Sequence, residues 1–169
     1  MKAFLDQLYD YNVWANGLIL KYAEQLPEEQ FTQETTHSFG SIRDTLIHIL
    51  IVEWLWREHM QGTGLEYAQA LEQVVPEDYP TVGKLYHRWF DEELAMRNFL
   101  GDLDEQGVMQ LVPYTNAAGR ELEDSIAEIL AHMVLHGMQH RAEAAAMLTD
   151  FGFSPGNLDY TAYLHAEQT

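Results

Sequence analysis

Cysteine is absent from the 169 residues. No disulfide can staple the chain, no thiolate can bind a metal, and any thiol chemistry needs a thiol brought by a substrate. Positive charge is scarce: nine Lys and Arg stand against twenty-seven Asp and Glu, a formal net charge of -18, and no run of basic residues relieves it. Nucleic acids and anionic membranes are bound through basic side chains, so neither is expected as a partner. Long apolar runs are missing as well. The most apolar stretch, Leu46 to Trp56, carries His48 and Glu53 and is far shorter than the ~20 residues that cross a bilayer. The opening MKAFLDQLYDYNVW is broken by Asp6 and Asp10 and does not read as a secretory signal. A soluble, cytoplasmic protein is the expectation.

What the chain does have is helical periodicity. A hydrophobic fraction of 47% in 19.5 kDa suits one globular domain spanning 1–169. Four long patterns repeat at helical spacing. The first runs from about Lys2 to Gln25 and stops before Pro27. The second starts at Ser41, an N-cap with Asp44 three residues on, and ends before Gly62 and Gly64. A Pro-containing link from Gly62 to Pro80 follows, with room for a helical turn near Tyr67 to Val74. The third pattern spans about Thr81 to Leu100. Between Gly101 and Glu123 helical character fades, and turn residues Asn116 to Gly119 separate two short candidate strands. The fourth helix is capped by Ser125 and ended by Gly152, with a short terminal helix after Pro155 and Gly156. These features predict an all-α four-helix bundle with a longer crossover link and a short hairpin before the last long helix.

Five of the eight histidines lie on the second and fourth helices. His132, His136 and His140 recur every four residues, so successive ones sit roughly 40° apart around the axis. Taking Ile126 as the zero of rotation, Ile129, Leu130, Met133, Gly137, Ala144, Met147 and Leu148 fall within roughly 60° of it and mark the core face. His140 lies inside that arc and His136 just beyond its edge. His132 sits further round with Glu128, Gln139 and Glu143, as a neighbour of the pair. The second helix is apolar nearly all round between Leu46 and Trp56, and His48 and Glu53 are its only ionisable groups there. A buried imidazole or carboxylate needs a partner; for a lone His that is commonly a hydrogen bond in the core, but the inward pair on the fourth helix shifts the expectation to His48 joining His136 and His140 on a metal. His59 is about three turns further along, and His37, His87 and His165 have no supporting pattern. Arg141 falls at the border of the core arc. It can pair with a carboxylate such as Glu53 or reach solvent, or it can clamp an anionic substrate beside the metal. A second apolar stripe on the fourth helix (Ala131, Val134, Leu135, Met138, Ala142, Ala145) predicts a homodimer face.

Together these residues resemble the DinB family, also described as YfiT-like metal-dependent hydrolases. YDYNVWAN is similar to the family's opening signature, here Tyr11, Trp14 and Asn16. SFGSIRDTLIHIL resembles the segment that delivers a first ligand, His48, and HMVLHGMQHRAE the motif that delivers His136 and His140. The closing GFSPGNLDYTAYL is similar too, while Ala142 and Glu143 stand where the family often has Gly and Gln. The resemblance implies a four-helix bundle, usually dimeric, with a three-histidine site for one divalent ion. Zinc or nickel is expected first, manganese or iron next. It also implies relatives that transfer or isomerise with low-molecular-weight thiols. Three neutral imidazoles leave a coordination position open, as catalytic sites do. The expected reaction is therefore transfer of such a thiol to a small electrophile. Metal-dependent hydrolysis and a non-catalytic, metal- or ligand-binding stress-response role are the alternatives. Glu53, Glu143 and His132 are candidates to accept a proton or to orient a ligand imidazole.

Overall fold

The computed structural model describes residues 1–116 and 118–166. In chain order these form α1 (Lys2–Ala23), α2 (Glu28–Thr32), α3 (Ile42–Met60), α4 (Tyr67–Gln73), α5 (Val82–Gly101), β1 (Leu111–Thr115), β2 (Glu121–Ser125), α6 (Ile126–Asp150) and α7 (Tyr160–Ala166). The four long helices lie where periodicity places them. The crossover link is more ordered than its composition suggests, since it contains α4 and a 3₁₀ turn at Pro76–Asp78. The short α2 was not foreseen. Pro27 both follows the end of α1 and precedes the first turn of α2, where its missing N–H costs nothing.

Local chemistry explains the helix ends. Ser41 Oγ accepts the Asp44 backbone N–H at 3.0 Å and so caps α3. At α6 the cap is reciprocal: Ser125 Oγ accepts the Glu128 N–H at 3.3 Å, and Glu128 Oε2 accepts the Ser125 N–H at 2.9 Å. Ser125 is also the last residue of β2, so the hairpin feeds straight into α6. β1 and β2 pair antiparallel from Leu111↔Ser125 to Thr115↔Glu121. In the turn, Asn116 Oδ1 accepts the N–H groups of Ala118 and Arg120 at 3.0 Å each, and Gly119 supplies the positive φ of 74°.

α6 packs along both α3 and α1, and α5 closes the arrangement by packing on α3 and α1. The apolar core divides into two parts. One gathers Ile19, Leu46, Leu50, Leu85 and Leu148, the other Tyr9, Ala15, Met96, Leu130 and Met133. Between them runs a buried polar layer. Asn12 and Asn16 of α1 donate from Nδ2 to Glu53 Oε1 of α3, each at 2.8 Å. Arg141 of α6 donates from Nη1 to Asn12 Oδ1 at 2.6 Å and to Asn16 Oδ1 at 2.9 Å. Beside it, the Arg57 fork grips Glu92 of α5 at 2.6 and 3.0 Å. The two asparagines thus relay between a buried cation and a buried anion, while Arg141 Nε has no hydrogen-bond partner among the described residues. No helix among the described residues is long and apolar enough to cross a membrane.

Candidate metal centre

The α3–α6 seam brings His48, His136 and His140 together. One ring nitrogen from each lies within 4.8 Å of the others, and Nε2 of His48 stands 3.2 Å from Nε2 of His136. Two nitrogens on a common zinc at ~2.05 Å and tetrahedral angles are ~3.3 Å apart, so this spacing fits a shared ion. His140 is buried, and His48 and His136 are half-buried. No Asp or Glu joins the three among the described residues, which leaves coordination positions for something from outside the chain.

The nitrogens that face away from the cluster are held. His140 Nδ1 lies 3.2 Å from Glu143 Oε2, and Ser38 Oγ donates to Glu143 Oε1 at 2.9 Å. With Nδ1–H donating to that carboxylate, Nε2 of His140 is free to bind metal. His48 Nδ1 meets Tyr67 Oη at 3.1 Å, which frees its Nε2 in the same way. Phe39 stacks on His48 with ring centres 3.9 Å apart, and its edge meets His140 at 5.1 Å. Burial, followed by the neighbouring imidazoles, pushes the His48 pKa down to about 3. Burial, then His140 and His132, pushes His136 down to about 4. Both rings are therefore neutral at pH 7, the protonation state a ligand requires. Burial opposes ionisation of Glu143, but hydrogen bonds from Ser38 and His140 outweigh it and hold the carboxyl below its usual range.

Other residues singled out by the sequence sit elsewhere. His132 is exposed, its ring centre 6.1 Å from that of His136 and 5.4 Å from that of Trp56. It flanks the cluster without joining it. Arg141 is 1% exposed and its guanidinium is committed to Asn12 and Asn16, so the structure places it in the buried layer and not as a clamp open to an anion. Glu53 is likewise turned to α1, away from the ligand imidazoles. Burial raises its pKa, and the Asn12 and Asn16 hydrogen bonds and Arg141 act in the opposite direction. Glu143 is the carboxylate that orients a ligand ring, and it does so from the position where the DinB pattern often has Gln. Tyr67, Phe39 and Ser38 were not singled out by periodicity. Ser38 and Phe39 lie on the connection before α3 and Tyr67 opens the short α4, and their approach to α3 and α6 leaves no periodic trace.

Comparison with known proteins identifies relatives of the whole chain. A family model described as the DinB family matches residues 1–169. The chain is also 30% identical over 174 aligned positions to protein DinB of Bacillus subtilis (strain 168), an alignment covering 100% of this chain and 98% of that protein.

Proposed function

We propose that this chain, which belongs to the DinB family, is a metal-dependent enzyme that transfers a low-molecular-weight thiol to a small electrophile. The observation that carries the reading is the convergence of three imidazole nitrogens within 4.8 Å with no fourth protein ligand among the described residues. Structural zinc is closed by four protein ligands, whereas catalytic sites keep a position open. When bound there, a divalent ion (zinc or nickel first, manganese or iron next) supplies Lewis acidity that lowers the pKa of a thiol or of water.

The protein's own groups do the positioning. Tyr67 and Glu143 fix the His48 and His140 rings, and Phe39 stacks on one face of His48. His132, exposed beside His136, is the group placed to pass the thiol's proton to solvent. Since the chain has no cysteine, the sulfur comes from the small-molecule substrate. An open position suits water as well as a thiol, which makes hydrolysis the competing reading. The four long helices are read as a four-helix bundle that holds its metal between two helices. Leu135 and Met138 on α6 remain 59% and 49% exposed, and we take them as part of a homodimer face. Light scattering at micromolar concentration showing only monomer would remove that face.

The test of the reaction uses metal-loaded protein with monochlorobimane, with and without a panel of low-molecular-weight thiols. Thiol transfer predicts consumption that needs both metal and thiol and is lost in His136→Ala. Ester hydrolysis without any thiol requirement would replace transfer with hydrolysis. No turnover of either kind would leave a binding protein.

A further inference from the structure

The row of rings on the α3–α6 seam extends beyond the three ligand imidazoles. From His136 it continues through His132, Trp56 and Tyr114, with successive ring centres 6.1, 5.4 and 5.1 Å apart. It leads into a cleft of about 250 Å³ lined by Trp56, Tyr114, Asp124, Glu128, Ile129 and His132. Trp56 comes from α3, Tyr114 and Asp124 from the two strands, and the other three from α6. Along α6, His132 is one turn and Glu128 two turns from His136, about 6 and 12 Å at ~1.5 Å per residue. The hairpin thus adds a pocket to the seam that carries the metal centre.

Two carboxylates and two large aromatic rings set the chemistry of this cleft. Tyr114 Oη donates to Asp124 Oδ2, and Glu128 Oε2 accepts from the backbone N–H and the hydroxyl of Ser125. These donors are neutral, so both carboxylate charges stay in place. The hydrogen bond to Asp124, then burial, pushes the Tyr114 pKa up to about 12, and the phenol remains a neutral donor. Hydrogen bonds from Ser125 hold the Glu128 carboxyl below its usual range. No Lys or Arg lines the cleft. Among the described residues, guanidinium groups lie over the rings of Trp54, Tyr9 and Tyr11 but over neither Trp56 nor Tyr114. Indole and phenol faces attract cations, and the two unneutralised carboxylates beside them act in the same direction.

We propose that this cleft seats an ammonium group at the far end of the thiol substrate, which makes that substrate an aminothiol and not an anionic thiol. The assignment rests on the proposed thiol chemistry for what reacts at the histidines, whereas the cleft's own preference for an ammonium does not. The ammonium lies among Asp124, Glu128 and the rings of Trp56 and Tyr114, one to two helical turns from His136. At ~30 Å³ per water-sized group the cleft takes about eight heavy atoms, enough for a short alkyl chain and its ammonium. A carboxylate in its place finds no such welcome. Arg141 is bonded inside the buried layer, and Glu143 stands beside His140, so an anionic end meets like charge.

The experiment has two arms, both on the full, metal-loaded chain at ~0.15 M salt, where long-range attraction is screened. The first is NMR titration with n-hexylammonium, n-hexanol and hexanoate, none of which carries a thiol. Saturable binding of n-hexylammonium that shifts the Trp56 indole signal is expected, with the other two at least about tenfold weaker. Asp124→Asn should weaken n-hexylammonium about threefold or more and leave n-hexanol and metal content unchanged. Glu128→Gln keeps a side chain that can cap α6 and should act similarly, which decides the matter if Asp124→Asn does not fold. Equal binding of the three compounds, or undiminished binding of n-hexylammonium by the folded variants, overturns the proposal. The second arm compares aminohexanethiol with mercaptohexanoate in the monochlorobimane assay. A KM at least about fivefold lower for aminohexanethiol, with the difference reduced in Asp124→Asn, is expected, and equal KM values overturn the aminothiol assignment. No turnover with either thiol, beside a clear ammonium preference in the first arm, would refute the thiol reaction and leave the ammonium cleft supported.

Discussion

Gly137 and Gly17 make opposite predictions for the same substitution. Both are helical, so replacement by alanine gains ~1 kcal/mol of intrinsic helix propensity at either position. At Gly17 the new Cβ enters open space, and Gly17→Ala is expected to stabilise the protein by up to that amount. At Gly137 the Cβ would stand 2.7 Å from Arg141 Nη1, too short for a non-bonded carbon, and a tight 3.2 Å from Asn12 Oδ1. The guanidinium cannot swing into water, because it is 1% exposed and bonded through that same Nη1 to two asparagines. Hydrogen bonds to a buried charge contribute ~1.5–3 kcal/mol each. Losing one bond, less the propensity gain, gives an expected destabilisation of about 0.5–2 kcal/mol for Gly137→Ala, and losing both about 2–5 kcal/mol. Urea unfolding of both variants beside the parent measures the difference directly. If Gly137→Ala proved as stable as Gly17→Ala, the buried layer would not be the rigid network described, and the reasoning about Arg141 would fail.

Further expectations concern the histidine cluster. Glu143→Gln keeps the side-chain shape but removes the charge on the His140 ring, and should weaken metal binding by roughly 10–100-fold, measured by chelator competition. The pH dependence of the metal-free protein follows from the lowered pKa values. In the unfolded chain His48 and His136 titrate near 6.5, but in the folded protein they stay neutral down to about 3 and about 4. Below about pH 6.5 the unfolded state therefore binds more protons, so their share of stability is full above that pH and is lost as pH falls through the folded values. His48→Gln should flatten the decline in stability between pH 6.5 and 4.5. An unchanged slope would show that the ring is not held neutral. Glu53 and Glu92 are present in both proteins and cancel in the comparison.

Much of the site was legible because its signals are local or periodic. Ser41 and Ser125 announce two helix starts through side chains three residues away. The phase of α6 separates His136 and His140 from the equally spaced His132, and the exposed position of His132 agrees with that separation. The hairpin was legible from its turn residues. What periodicity could not supply was partnership across the fold. The location of Arg141 at the edge of the core arc showed that it needed a partner. That Asn12 and Asn16 would stand between it and Glu53 depends on the approach of α1, which no local pattern encodes. The Arg57–Glu92 fork and the reach of Tyr67 from α4 to His48 are of the same kind. The partners are 19 or more residues apart in sequence, and their side chains look like ordinary helix-surface residues until the helices meet.

The central claim is that His48, His136 and His140 hold one divalent ion. The direct measurement is elemental analysis of protein purified without chelator or metal-affinity resin, for the parent and for His48→Ala, His136→Ala and His132→Ala. About one divalent ion per chain is expected in the parent and in His132→Ala, with a sharp loss in the other two. Full occupancy in His48→Ala and His136→Ala, or an equal loss in His132→Ala, would contradict it.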